Sequence, residues 1–267
     1  MEESMKADRQ APIGVFDSGV GGLSVLRELV AQMPSEHFLY FGDSANAPYG
    51  PRPQSQVEEL TVSAVLALLP QDPKAVVIAC NTATAAALPA LQRALPHIPV
   101  IGIQPAVAQA AADGGHVLAL ATQGTLASGS FQAQMAALEH PQQVTTMAAP
   151  GIVTYVEGRM QDRSGVVLYL RELFRPLVDR PVDRVVLGCT HFPFAKDVIQ
   201  EALGYPVTFY DASYQVACRT REALIQAGLQ APQGAQGGVT FLNSAKQPEL
   251  LDFAWFLFSG SALAAVS

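Results

Sequence analysis

Cysteine is scarce: Cys80, Cys189 and Cys218 are the three in 267 residues. They are too few and too widely spaced for a disulfide framework, and in a reducing compartment they stand as free thiols. Positive charge is short as well, with 16 Lys and Arg against 23 Asp and Glu, a formal net charge of -7 and no dense basic cluster. That balance opposes the attraction that carries binding to nucleic acid or an anionic membrane, so a small-molecule substrate is the expected partner. No run approaches the roughly 18 uninterrupted apolar residues of a membrane span. The start, Met1 to Ala11, is polar and lacks the apolar stretch of a signal peptide, so the expected location is the cytoplasm. The four lysines, Lys6, Lys74, Lys196 and Lys246, adjoin no phosphate-binding pattern, which argues against a pyridoxal-phosphate Schiff base. CxxC and HxxH spacings are missing too, and with them the usual zinc framework, although Cys80, Cys189 and His191 are ligand types. The expectation is an enzyme without cofactor or metal.

What the chain does have is alternation. Short apolar runs at Ile13 to Phe16, Phe38 to Phe41 and Ala75 to Ala79 are interleaved with helical segments at Leu23 to Gln32 and Val57 to Leu69. Further strands are expected at Val100 to Ile103, His116 to Ala121, Val144 to Met147, Val185 to Leu187 and Val207 to Tyr210. This pattern predicts α/β architecture with mostly parallel sheets covered by helices. One segment echoes another: Lys74-Ala-Val-Val-Ile-Ala-Cys80-Asn-Thr82 recurs as Asp183-Arg-Val-Val-Leu-Gly-Cys189-Thr-His191. Each copy reads as a strand ending in a cysteine, with Asn or Thr at an N-cap-like position and a helix beyond, Ala83 to Leu95 or Ala195 to Leu203. Pro193 suits a first helical turn, whereas Pro89 should kink or delay its helix. The duplication predicts two similar three-layer, doubly wound domains facing each other across a cleft. Residues 11–103 plus 214–267 form the first, carrying Asp17 and Cys80, and residues 104–213 the second, carrying Cys189 and His191. Trp255, in a last helix from Pro248 to Phe258, is expected in the core, and Gln230 to Gly238 reads as a Gly/Gln-rich loop.

A cysteine at a helix N-terminus meets free N–H groups and the positive end of the helix dipole, which favours thiolate and lowers its pKa from about 8.5. Two such thiols on opposite walls of a cleft can invert a stereocentre, one removing a proton from carbon and the other returning one to the opposite face. Asp17 opens the turn Asp17-Ser-Gly-Val-Gly-Gly22, whose spacing fits neither a dinucleotide loop nor a P-loop. Its carboxylate would repel phosphate, but suits a substrate ammonium, the Cys80 proton or a helix cap. His191 is placed to tune Cys189 or shuttle its proton. Ser18, Tyr49-Gly50, Asn81-Thr82, Thr122, Thr125 and Thr190 fall at strand-helix mouths and supply donors for a substrate carboxylate. His37, His97, His116 and His140 lie beside turns and strand boundaries without evident partners and read as structural.

These residues carry a resemblance. Through Ile13-Gly-Val-Phe-Asp17-Ser-Gly-Val-Gly-Gly22, Tyr40-Phe-Gly-Asp43, Pro48-Tyr-Gly50, Ala79-Cys-Asn-Thr-Ala83 and Leu187-Gly-Cys-Thr-His-Phe-Pro193, the chain resembles the glutamate racemases of the aspartate/glutamate racemase superfamily over nearly its whole length. The resemblance implies interconversion of L- and D-glutamate without pyridoxal phosphate, supplying D-glutamate for peptidoglycan, with Cys80 and Cys189 as acid and base. It implies substrate binding by the pairs Asp17-Ser18, Tyr49-Gly50, Asn81-Thr82 and Thr190-His191, and a homodimer. It also makes Glu157, in Ala149-Pro-Gly-Ile-Val-Thr-Tyr-Val-Glu157, a partner of His191. Here the sequence departs from the family pattern: Ala149 and Thr154 stand where Cys and Pro are expected, Asn46 where Arg is common, and Gln104 is not the type expected before its proline.

Other classes remain open at this level. A superfamily relative acting on aspartate or another small diacid would share the paired cysteines. A thiol amidase would use Cys189 as nucleophile and His191 as base but leaves Cys80 without a role. A two-lobed binding module would share the cleft without the chemistry.

Overall fold

The computed structural model describes residues 8–232 and 234–260. Residues 1–7 of the polar start and the last seven residues of the expected first domain, 261–267, lie outside that range. In chain order the strands are β1 (Ile13–Asp17), β2 (His37–Gly42), β3 (Ala75–Ile78), β4 (Val100–Gly102), β5 (Val117–Ala121), β6 (Val144–Ala148), β7 (Arg184–Gly188), β8 (Thr208–Tyr210) and β9 (Gly238–Asn243). They form two sheets, ordered β4-β3-β1-β2-β9 and β6-β5-β7-β8. All their pairings are parallel, with Phe16 opposite both Phe41 and Ile78, and Ala121 opposite both Ala148 and Gly188. Central strands of this kind are covered on both faces, which is why Ala75–Ile78 and Val117–Ala121 are buried at every position.

The helices are α1 (Leu23–Gln32), α2 (Gln54–Leu66), α3 (Asn81–Ala94), α4 (Val107–Ala112), α5 (Gln123–Ala127), α6 (Gly129–Ala136), α7 (Pro150–Glu157), α8 (Arg163–Leu173), α9 (Lys196–Leu203), α10 (Ser213–Ala227) and α11 (Pro248–Ser259). On the first sheet, α2 packs with α3, while α1 packs with α10 and α11; on the second, α8 packs with α9 and α4 with α6. Buried Leu23, Leu26 and Leu29 of α1 seat on Ile13, Val15 and Phe38 of the sheet. Each such side chain contributes about 1.5–3 kcal/mol by leaving water.

Three local expectations need correction. Strand β9 follows the Gly/Gln loop and pairs with β2 at the open edge of the first sheet, where no strand is legible in the sequence. Trp255 is 57% exposed, not core: Phe253, Ala254 and Leu257 take the buried face of α11, and Trp255 lies edge-on against Phe241. Pro89 does not delay α3, which runs through it, with the ring on the exposed side. The helix expected over Ala195 to Leu203 is α9, and before it Phe192–Ala195 form a 3-10 turn with Pro193 near its start.

Candidate active site

The carboxyl ends of the central strands of both sheets converge. Asp17 ends β1 and Ser18 follows it; beyond β3 come Cys80 to Thr82, beyond β5 Thr122, and beyond β7 Cys189 to His191. This is where parallel sheets collect ligands, since strand ends and helix starts leave backbone groups unpaired. Between them lies a cavity of about 140 Å³ lined by Cys80 and Cys189 together, one from each sheet. Ser18, Tyr49, Gly50, Asn81, Thr82, Thr122, Glu157 and His191 also border it. Three candidates do not. Asp17 and Thr190 stand behind the wall, joined by a Thr190 Oγ1 hydrogen bond to Asp17 Oδ2 of 3.0 Å. Thr125 sits behind Thr122 and Thr82, accepting from Thr122 Oγ1 at 2.9 Å.

The two thiols have different surroundings. Cys80 is itself the N-cap of α3, its sulfur accepting from the Ala83 N–H at 3.5 Å, so Asn81 is the first helical residue rather than the cap. Ser18 Oγ lies 3.4 Å from the same sulfur. The expected lowering of the Cys80 pKa is not found: burial first, then the neighbouring Asp17 carboxylate, push the thiol up to about 12. The N-terminal N–H and Ser18 pull the other way but are outweighed. Cys189 is separated from α9 by the 3-10 turn and so has no helix N-terminus of its own. Its neighbour is His191, whose Nδ1 lies 3.6 Å from the sulfur.

His191 in turn meets Glu157, with Nε2 2.6 Å from Oε1. Burial favours the neutral imidazole, yet the hydrogen bonds and charges of Cys189 and Glu157 outweigh it and hold the His191 pKa well above its usual value. Burial likewise raises Glu157, but His191 and the Val20 N–H more than compensate and leave its carboxyl below the ordinary range. The result is a carboxylate, an imidazolium and a sulfur in line. Asp17 is fully buried, and burial raises its pKa against the opposing pull of His191, the Gly19 N–H and Thr190.

The glycine turn, whose spacing fits no phosphate loop, has another purpose. The Val20 N–H donates to Glu157 Oε1 at 3.0 Å, and Ser24 Oγ donates to the Thr190 carbonyl at 2.9 Å, so α1 and its entry turn are fastened to the second sheet's site residues. A Cβ on Gly19 would land on the Glu157 carboxylate, and one on Gly21 on His191 and Thr190. Only hydrogen at these positions lets the two halves approach closely enough to form the site.

Several contributors were not singled out from sequence. Asp43 accepts from the Tyr49 hydroxyl at 2.6 Å and from Asn46 Nδ2 at 3.0 Å, so it fixes the ring that walls the cavity. The motif Tyr40-Phe-Gly-Asp43 was the available signal. Ala47, Pro48, Pro51, Gln123, Ala148, Pro150 and Val153 complete the lining. Two histidines read as partnerless are not: His37 bonds Thr240 at 3.1 Å, and His116 bonds Thr145 at 2.9 Å and the Pro181 carbonyl at 3.0 Å. Both tie strand ends together, away from the cavity.

Comparison with known proteins accords with this geometry. The sequence pattern of the family described as Asp/Glu/Hydantoin racemase matches residues 13–213. The chain belongs to that family. Among its members, a glutamate racemase of Clostridium perfringens is 37% identical over 256 residues, covering 95% of this chain and 97% of that protein. The crystal structure of a glutamate racemase isoform from Bacillus anthracis superposes with a TM-score of 0.81 at 32% identity, covering 95% of each chain. The glutamate racemase of Francisella tularensis, solved in complex with D-glutamate, gives a TM-score of 0.82 at 27% identity over 94% of each chain. Among the described residues of this family member, no helix is long and apolar enough to cross a membrane.

Proposed function

We infer that this chain interconverts L- and D-glutamate by proton transfer at the α-carbon between Cys80 and Cys189. The observation that carries the reading is the pair itself: two cysteines, each 6% exposed, reach one cavity from equivalent strand ends of two sheets. In one direction a thiolate at one sulfur takes the Cα proton, and the electron pair left on carbon delocalises into the α-carboxylate. The thiol on the other side gives its proton to the opposite face of Cα, and the two sulfurs end with their protonation states exchanged. Neutral donors suit the substrate carboxylates: Ser18, Asn81, Thr82 and Thr122 border the cavity and can strengthen their hydrogen bonds as charge moves onto the carboxylate.

Within this reading Cys80 carries the proton at rest, since its thiol is pushed up to about 12. Asp17 governs that proton from behind the wall, and His191, held by Glu157, faces the Cys189 sulfur as its donor. The same reading takes residues 11–103 with 214–267 and residues 104–213 as the two lobes. It also makes the protein a cytoplasmic homodimer supplying D-glutamate for peptidoglycan.

The row Cys189, His191, Glu157 also has the make-up of a thiol hydrolase. Trapping of a thioester by mass spectrometry would favour that alternative over proton transfer. The deciding experiment incubates the protein with L-glutamate and then D-glutamate in deuterated water, following optical rotation and the α-proton by NMR. Racemisation from both sides with deuterium at Cα is expected. Turnover of aspartate but not glutamate would overturn the substrate, and turnover of neither would overturn the chemistry.

A further inference from the structure

A second, much smaller cavity of about 10 Å³ lies against the far side of Asn81, bordered also by Thr84, Gln104, Thr125 and Gln134. Asn81 borders both this space and the catalytic cavity and is 5% exposed. Neither its Nδ2 nor its Oδ1 has a hydrogen-bond partner, and Gln134 Oε1 is buried without one as well. Several other polar atoms around the space are already committed. Thr84 Oγ1 donates to the Ile78 carbonyl and accepts from the Ile103 N–H, both at 3.1 Å. Thr125 Oγ1 is engaged by Thr122, and Gln134 Nε2 donates to Gln104 Oε1 at 2.9 Å.

Buried polar atoms without partners are rare in native proteins, and several of them around one small space call for something that can donate and accept at once. A space of roughly 10–15 Å³ is what a single water needs, and a buried water makes about two to four hydrogen bonds. We propose that this cavity is a binding site for one water molecule that joins Asn81 to the Gln134–Gln104 pair, and that these two glutamines are positioning residues for the Asn81 amide. One end of that amide then serves the water and the other the substrate. Gln134 belongs to α6 beside the second sheet, whereas Asn81 opens α3 beside the first, so the water also couples the two halves next to Cys80.

The proposal rests on the reading that Asn81 contacts glutamate, and its test separates the two. Gln134→Leu keeps the side chain's bulk and removes the acceptor. The KM for both enantiomers should rise about fivefold, the scale of one lost hydrogen bond, while kcat stays within about twofold. Gln104→Leu, at a largely exposed position, should shift KM in the same direction by less. In an Asn81→Ala background, Gln134→Leu should leave KM unchanged, because the residue it positions is gone. A general structural fault would instead add to the Asn81→Ala effect. Independently of activity, the Asn81 side-chain amide protons should give a water cross-peak in NMR that disappears in Gln134→Leu. An unchanged KM in Gln134→Leu, additive effects in the double variant, or no water cross-peak in the parent protein would each overturn the proposal. If the protein proves inert toward glutamate, the cross-peak alone decides the water site.

Discussion

The two cysteine segments are near-copies in sequence and opposites in environment. Cys80 ends its strand directly on a helix, with N–H and hydroxyl donors at its sulfur, yet burial and Asp17 keep its proton on. Cys189 ends its strand on a 3-10 turn, without that helix, and meets an imidazole instead. Duplication delivers the geometry of two thiols on two sheets, while distant segments give each thiol different neighbours. The proposed reaction, taking a proton from either face of one carbon, would thus be symmetric in its chemistry and asymmetric in the surroundings of its two sulfurs.

The largest effect follows from removing either sulfur. Cys80→Ser and Cys189→Ser should each lower racemisation by about 10²–10⁴-fold, the usual weight of a positioned acid-base group. The comparison is sharpened by isotope exchange: each variant should still wash deuterium into one enantiomer only, and the enantiomer should differ between the two. Near-normal racemisation by Cys80→Ser would break the two-base account, and exchange from the same enantiomer in both would break the assignment of one thiol to each face.

A smaller effect separates the two environments. Glu157→Gln removes the carboxylate from the His191 side and leaves Cys80 with Ser18 and Asp17 untouched. Activity should fall about tenfold, as for a lost charge-assisted hydrogen bond. The limb of the pH-rate profile set by His191 should move to lower pH, because its raised pKa depends on Glu157. Stability should follow the same pair with definite signs. His191 is raised from 6.5, so its contribution is full below that value and is lost as pH climbs through the folded pKa. Glu157 is lowered from 4.5, so its contribution is present above that value and is lost as pH falls through the folded pKa. The melting-temperature gap between parent and Glu157→Gln should therefore be widest between about pH 5 and 6.5 and should shrink in acid and in alkali. A gap independent of pH would show that the pair is not ionised.

Apolar alternation and the echoed cysteine strands made the sheets and both thiols legible, because burial on two faces forces a recognisable residue choice. What was not legible arises from contacts between distant segments. The rise of the Cys80 pKa needs Asp17, sixty-three positions earlier, and a closed cavity; helix-dipole reasoning from the local sequence gave the opposite sign. Glu157 could be named only through the family resemblance, since nothing in Ala149 to Glu157 points to His191. Trp255 failed as a core residue because α11 carries more apolar side chains than its buried face can take. Strand β9 failed because it lies on an edge, with polar Thr240 and Asn243 among its apolar residues.

The smallest effect belongs to the third thiol. Cys218 lies on α10, half-buried, outside both echoed segments and away from the residues that border the catalytic cavity. It has a side-chain hydrogen bond with Tyr214 one turn earlier on the same helix, an exposed contact that serine can also make. Cys218→Ser should therefore change kcat and KM by less than about twofold and leave the melting temperature close to that of the parent, as surface substitutions do. With all three thiols present, an alkylating reagent should label Cys218 first without loss of activity, because Cys80 and Cys189 are each 6% exposed. Inactivation that tracks labelling of Cys218 would remove the ground for confining the chemistry to the two echoed strands, and with it the contrast between them.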